Sequence, residues 1–163
     1  MYHLAQINIG RALNRLDTPL MAAFVAQLDA INALADASPG FVWRLQTDDG
    51  NATAIRAYDD ERMIVNMSVW ESLEALTAFV YASAHRPVMR RRREWFERFD
   101  GRYMALWWVP TGHRPDIAEA KERLEQLRVH GPTPFAFSFA QAIPAPDATE
   151  ARLPEGIEAT CGA

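Results

Sequence analysis

Asn66, Ser68 and Trp70 occupy alternate positions of the run Met63-Ile64-Val65-Asn66-Met67-Ser68-Val69-Trp70. A strand there sets an amide, a hydroxyl and an indole on one face. Met63, Val65, Met67 and Val69 fall on the other face and read as plain core. Polar groups on a strand covered from both sides need protein partners, or a ligand that supplies them. An indole beside an amide and a hydroxyl suits a pocket for a flat organic molecule. Such a pocket can bind an anion, stabilise developing charge with fixed donors, or pass a proton to a nearby base.

Further candidates stand elsewhere in the chain. His85, just before Pro87 at a helix junction, could be a general base or an axial ligand. Its plain alternative is a helix-terminal histidine bonding free carbonyls. On the first strand, Leu4, Gln6 and Asn8 share a face opposite Ala5, Ile7 and Ile9, which makes Gln6 and Asn8 candidate ligand contacts. Arg44 and Gln46 share a face of the second strand and could add polar groups to the same cavity. In Arg90-Arg91-Arg92-Arg93, helical geometry spreads the charges around the axis, and Arg92 aligns with Val88, Trp95, Phe96 and Phe99. A buried guanidinium requires a carboxylate of this chain, of a second copy, or of an acidic ligand, and pairing within the protein is the ordinary outcome. Trp107 and Trp108 point to opposite faces, one toward helices and one toward the cavity, and the sequence leaves open which. Trp108 is carried as the candidate contact. His3, His113 and His130 read as surface or capping residues.

The elements that must position these side chains follow from periodicity and breakers. Leu4 to Ile9 is a first strand. Asp17-Thr18-Pro19 starts a helix to about Ala37, with Leu20, Phe24, Leu28, Ile31 and Leu34 as its apolar stripe. Ser38-Pro39-Gly40 stops it, Phe41 to Thr47 is the second strand, and Ala52 to Ala57 extends a hairpin. The strand Met63 to Trp70 precedes a helix capped by Ser72 and running to about Tyr81. Another helix spans Pro87 to Phe99, then a strand spans Tyr103 to Val109. A helix opened by Pro115 buries Ile117, Ala120, Leu124 and Leu127, and Phe135 to Phe139 is a short last strand. Residues 144–163 are rich in Pro, Ala and Glu without period and read as a mobile tail, leaving residues 1–143 as one domain.

This order predicts an α+β, ferredoxin-like β-α-β-β-α-β antiparallel sheet with helices on one face and an extra C-terminal helix and strand. The other face needs a cover, and a second copy closing a dimeric α/β barrel would give one. A homodimer is therefore expected.

Composition narrows the classes. At 163 residues the chain can bury a proper core, and 49% hydrophobic and 23% charged residues are ordinary for a globular protein. A net charge of −4 argues against nucleic acid and anionic membrane as partners. No apolar run is long enough to span a bilayer, and the N-terminus has no signal-peptide pattern, so a cytoplasmic protein is expected. Cys161 is the single cysteine and excludes an internal disulfide framework. No His, Cys, Asp and Glu grouping has metal-ligand spacing, so no metal is expected. Nucleotide-binding, serine-elbow and dithiol motifs are likewise missing.

At Trp70-Glu71-Ser72-Leu73-Glu74-Ala75-Leu76, followed by Ser83-Ala84-His85, the chain resembles the antibiotic biosynthesis monooxygenase group of dimeric α/β barrels. A closer resemblance is to a bacterial family designated domain of unknown function 3291. It rests on His3-Leu4-Ala5-Gln6, Pro39-Gly40-Phe41-Val42-Trp43-Arg44, Val65 to Trp70, Leu106-Trp107-Trp108-Val109-Pro110 and Gly131-Pro132. The monooxygenase resemblance implies cofactor-free oxidation of an anthrone-like polyphenol, with Asn66 and Trp70 holding the substrate and its anion. It further implies His85 as base and Arg92 or Arg44 as counter-charge. The haem-degrading branch would instead give roles to Asn8, Trp70 and His85, which makes a protein that binds haem or a hydrophobic metabolite the alternative. A third expectation is a structural dimer in which Asn66 and Ser68 merely satisfy each other and no cavity exists.

Overall fold

A two-residue alternation sustained over Tyr2–Arg11 builds strand β1, the longest of the sheet and its centre. β2 is Phe41–Arg44, β3 is Met63–Trp70 and β4 is Met104–Pro110. The sheet order is β2-β3-β1-β4 and every pairing is antiparallel. With helix α1 (Ala22–Asp36) between β1 and β2, and α2 (Leu73–Thr77) between β3 and β4, this is the ferredoxin-like arrangement. The computed structural model describes residues 1–82 and 90–150. His85, Pro87, Val88 and the segment 151–163, with Cys161, lie outside the described residues.

The antiparallel register builds two faces. On the apolar face, Ala5, Ile7 and Ile9 oppose Val65, Met67 and Val69, with Ala105, Trp107 and Val109 alongside, and all are at most 1% exposed. Helix α3 (Ile117–His130) lays Ala120, Leu124 and Leu127 on them, as its spacing predicted. Residues 45–62 were expected to include a hairpin; they cross instead as turns, and Ile55, Ala57 and Tyr58 pack under the same face. The cover that we expected from a second copy is therefore provided here by the chain itself. The sheet stays open and does not close into a barrel.

The other face carries α1 and α2. Ala35 and Leu76 pack with Leu4, Trp70, Leu106 and Phe137 at one end, while Met21 and Phe24 meet Ile64, Ala12, Trp95 and Phe96 at the other. Between these apolar ends runs a polar band.

Several boundaries differ from expectation for local reasons. Pro19–Met21 forms a 3-10 turn ahead of α1, which turns Met21 inward and leaves Leu20 69% exposed. Ser72 caps α2 as expected, accepting from the Ala75 N–H at 3.1 Å, but after Thr77 the helix widens into a π turn over Ala78–Ala82. In the segment expected to be a helix from Pro87 to Phe99, the described part holds a 3-10 turn at Arg92–Glu94. Asp116 caps α3 through the Glu119 N–H at 2.8 Å, and Gly131 at φ +73° ends it. The expected strand Phe135 to Phe139 reduces to isolated bridges, of which only Phe137 to Leu106 reaches the sheet, while Ala136 pairs with Thr133 and Ser138 with Gln141. Pro146–Glu150, inside the segment read as a tail, is one short helix.

Candidate functional site

Cross-strand register gathers the sequence candidates into rungs on the polar face. Phe41, Trp70, Leu4 and Trp108 form the first rung; Arg44, Ser68, Gln6 and Leu106 the second; Asn66, Asn8 and Met104 the third. Side chains opposite one another on a rung are close enough to bond directly. Gln6 Nε2 donates to Asn66 Oδ1 at 2.8 Å and to Ser68 Oγ at 2.9 Å. Trp70 Nε1 donates to Ser68 Oγ at 2.9 Å. Asn8 Nδ2 reaches Gln6 Oε1 at 3.3 Å and Asn66 Oδ1 at 3.4 Å. Asn66 and Ser68, which the structural expectation pairs with each other, are instead both bonded to the one side-chain nitrogen of Gln6.

Burial falls off along this band. Trp70 is fully buried, stacked on Phe79 with ring centroids 5.0 Å apart and edge-on to Phe41 at 5.4 Å. The expectation that Trp70 stacks a planar substrate is corrected at this point: as placed, its indole is packed against protein and offers no surface. Gln6 and Ser68 are 5% and 7% exposed. Asn66, by contrast, is exposed, and among the described residues its Nδ2 has no partner. The band therefore ends in an amide whose oxygen is engaged from inside and whose nitrogen is open.

One rung further on lies Gly10, opposite Ile64. A side chain there would place its Cβ 2.7 Å from the Phe96 ring and 3.1 Å from Arg92 Nη2, so only glycine admits this approach. Arg92 Nη2 donates to the Ile9 carbonyl at 2.9 Å, and its guanidinium lies 5.0 Å from the Phe96 ring and 4.7 Å from the Tyr103 ring. Cation–π contacts and one carbonyl hold it; among the described residues no carboxylate pairs with it. The ordinary outcome expected from sequence, an ion pair within the protein, is not found among the described residues. Burial lowers the basicity of Arg92, with Tyr103 acting in the opposite direction. Residues two apart along a strand are about 7 Å apart, so this cation stands one step from Asn8 and Asn66.

Arg44 differs. It shares the polar face, but Asp36 at the end of α1 takes its guanidinium in a fork at 2.8 and 3.1 Å, and Nη1 donates to the Gly50 carbonyl at 2.7 Å. Its charge is answered within the protein, so it ties α1 to β2 and has none left for a ligand. Trp108 faces the polar side and Trp107 the apolar core, which resolves the pair. Trp108 Nε1 donates to the Ile143 carbonyl at 2.7 Å, so the segment after Phe137 covers it. His85 lies outside the described residues, and with it the base and the axial ligand that the resemblance implies.

Sequence reading missed a second polar group, behind the apolar face. Trp107 Nε1 donates to Glu119 Oε1 at 2.9 Å, and His113 Nε2 lies 2.7 Å from Glu119 Oε2. The available signal was the inward parity of Trp107, since a buried indole N–H requires an acceptor. His3, expected at the surface, has its Nδ1 enclosed, with no partner among the described residues. Among the described residues no group of His, Cys, Asp and Glu could hold a metal ion, and no helix is long and apolar enough to cross a membrane. A surface depression of about 390 Å³ lies between the Ser38-Pro39-Gly40 turn and α2, with Glu71, Ala75, Ala78 and Phe79 on its wall, away from Asn66.

Comparison with curated proteins gives no match. Among solved structures, NE2512, a protein of unknown function from Nitrosomonas europaea, aligns with a TM-score of 0.46 at 13% identity, covering 71% of this chain and 97% of that one. PA3566 from Pseudomonas aeruginosa aligns with a TM-score of 0.44 at 14% identity over 67% and 93% of the two chains. SnoaB from Streptomyces nogalater, described as a cofactor-independent oxygenase, aligns with a TM-score of 0.43 at 16% identity over 69% and 95%. At the level of sequence, a family model described as a domain of unknown function (DUF3291) matches residues 3–153, and the chain belongs to that family.

Proposed function

We propose that this protein is a small-molecule enzyme of the cofactor-independent monooxygenase type, acting on an aromatic, weakly acidic substrate of polyphenol or polyketide character. The observation that carries this reading is the open end of the polar band. There an exposed Asn66 amide, whose Nδ2 has no partner among the described residues, stands one rung from the guanidinium of Arg92, which no carboxylate among the described residues neutralises. A phenolate answers both: its oxygen accepts from Asn66, and its charge meets Arg92. Asn8 borders the same opening, while Gln6, Ser68 and Trp70 form the support behind it. The rings of Phe96 and Tyr103 hold Arg92 in place at this end of the band.

The reaction follows from the substrate's acidity. An anthrone loses a proton and becomes a carbanion stabilised as its phenolate. The carbanion passes one electron to dioxygen, and recombination forms a carbon–oxygen bond. Cleavage of the oxygen–oxygen bond then leaves one oxygen on carbon as a ketone, and the other departs as water with the two hydrogens of the original methylene. Donors fixed beforehand around the anion contribute most when they need not reorganise during the step. The resemblance gives His85 the role of base. It also implies a homodimer, and because α3 fills the apolar face, the second copy would dock on another surface; sedimentation checks this directly.

The test is oxidation of dithranol, an anthrone, followed by oxygen uptake and quinone absorbance against the rate in buffer. Asn66→Ala is expected to lower turnover by about a hundredfold, the usual cost of one anion-stabilising donor, while the thermal midpoint stays near that of the wild type. Equal turnover by the two proteins, or no turnover by the wild type above buffer, would sink the reading.

A further inference from the structure

We infer that Gln6 is a positioning residue: by holding the oxygen of Asn66 from behind, it fixes Asn66 as a donor toward the ligand, so the site selects an oxygen acceptor over a donor group. This rests on reading the open end of the polar face as the ligand site. A primary carboxamide carries two N–H groups on one nitrogen, and Gln6 uses both, on Asn66 Oδ1 at 2.8 Å and on Ser68 Oγ at 2.9 Å. The indole of Trp70 can only donate, so Ser68 Oγ meets Trp70 as an acceptor at 2.9 Å. The Gln6 oxygen is taken by Asn8 Nδ2 at 3.3 Å. Each polar atom of the Gln6 side chain thus has a partner, and at 5% exposure the side chain reaches no ligand of its own.

The consequence falls on Asn66. Its Oδ1 faces inward to the Gln6 N–H, with Asn8 Nδ2 at 3.4 Å as a second donor, and its Nδ2 is what remains for the exterior. While Gln6 and Asn8 keep these orientations, turning the Asn66 amide over would set its N–H groups against theirs, donor against donor, and leave them unsatisfied. The buried end of the band, through Gln6, therefore dictates the polarity of the exposed end. A phenolate or carbonyl oxygen is accepted at Asn66, and an amine or hydroxyl offered as a donor is refused.

Isothermal titration of two polycyclic probes tests this: alizarin, which presents carbonyl and phenolic oxygens, and an aminoanthracene, which presents N–H groups. The wild type is expected to prefer alizarin. Gln6→Glu, whose carboxylate only accepts, should draw Asn66 Nδ2 inward, turn Oδ1 outward and shift the preference by about tenfold toward the amine, the value of one hydrogen bond. Gln6→Met keeps the length of the side chain without its polar atoms and should erase most of the preference, so it carries the test if the glutamate variant fails to fold. Side-chain amide NMR reports Asn66 directly, with its N–H pair becoming protected from exchange in Gln6→Glu. A preference unchanged in the folded Gln6 variants, while Asn66→Ala weakens alizarin binding, would overturn the role of Gln6 and leave the ligand site standing. Failure of the wild type to bind either probe would overturn both.

Discussion

The two faces of this sheet are built from the same strands in the same register, one residue out of phase. On the apolar face every rung is closed by hydrophobic contact, with Ile7 against Met67, Ile9 against Val65 and α3 over both. On the polar face the rungs close by hydrogen bonds, and closure runs out: Trp70 is fully buried, Ser68 nearly so, and Asn66 exposed. Apolar contact has no direction and tolerates any close-packed neighbour, so a helix of the same chain can complete it. A hydrogen-bonded band must pair donor with acceptor atom by atom, and where the pairing ends a donor is left over. Under the proposed function, stability and ligand contact would fall to opposite parities of the same strands. Changes on the polar face can alter binding while the apolar face holds the fold.

Substitutions can break or sharpen this contrast. The largest effect is expected from Trp107→Ala, which empties the centre of the apolar face and removes a hydrogen bond to Glu119. A loss of about 3–5 kcal/mol should lower the thermal midpoint by roughly 10 °C, readable by calorimetry, without altering the relative binding of two probes at Asn66. Next comes Ser68→Ala, which strands the Trp70 indole N–H and one Gln6 N–H in a buried place. About 1–3 kcal/mol should be lost in urea unfolding, together with some ligand affinity, since the support of Asn66 loosens. An unchanged urea midpoint would show the band to be wetter than its burial implies.

Smaller effects sit at the margins. Asp60 ties residues 45–62 to β1, accepting from the Arg62 N–H at 2.9 Å and from Arg11 Nε at 2.7 Å. The Arg62 backbone bond, followed by the Arg11 contact, holds its carboxyl below the ordinary range. A carboxyl with a lowered folded pKa stabilises above its unfolded pKa, and that stabilisation disappears as pH falls through the folded value. Asp60→Asn should therefore leave a slightly lower midpoint near neutrality and a flatter decline on acidification below the usual carboxylate range. A decline of the same steepness would assign the acid limb to other groups. Smallest of all in stability is Asn66→Ala, about 0.5 kcal/mol, because at this exposed end water can replace the acceptor that one Gln6 N–H loses, despite its large expected loss of turnover. A large drop in midpoint would place Asn66 with the supports.

How far the site was legible can be followed residue by residue. Asn66, Ser68 and Trp70 share a face because strand geometry has period two, and that much is local. Gln6 and Asn8 were visible as a matching pair on β1, yet their bonds to Ser68 and Asn66 depend on a register that spans about 60 residues of chain. Arg92 was found by assuming a helical phase, and it is indeed partly enclosed, but by a 3-10 turn, two rings and a carbonyl in place of an expected carboxylate. Arg44 gave no sign of its partner, since Asp36 meets it only after α1 has crossed back over the sheet. The 45–62 segment looked like a hairpin because its turn residues are real; its apolar side chains prefer the core under α3 to a ladder of their own.

What the sequence alone determined, then, is the order of the four sheet strands with α1, α2 and α3, and the parity of the residues in β1, β3 and β4, because both arise from backbone geometry over a few neighbouring positions; in β2 a bulge between Phe41 and Trp43 breaks the period. Only the tertiary structure decided that α3 closes the apolar face, that Trp108 and not Trp107 shares the polar face with Asn66, that Trp70 is sealed behind Phe79, and that Arg92 keeps its charge unpaired among the described residues. Apart from Trp70 with Phe79, those outcomes are contacts between segments distant in the chain. Such contacts depend on which surfaces compete for burial and which donors find acceptors once the chain has collapsed, and no local period in the residues records that competition.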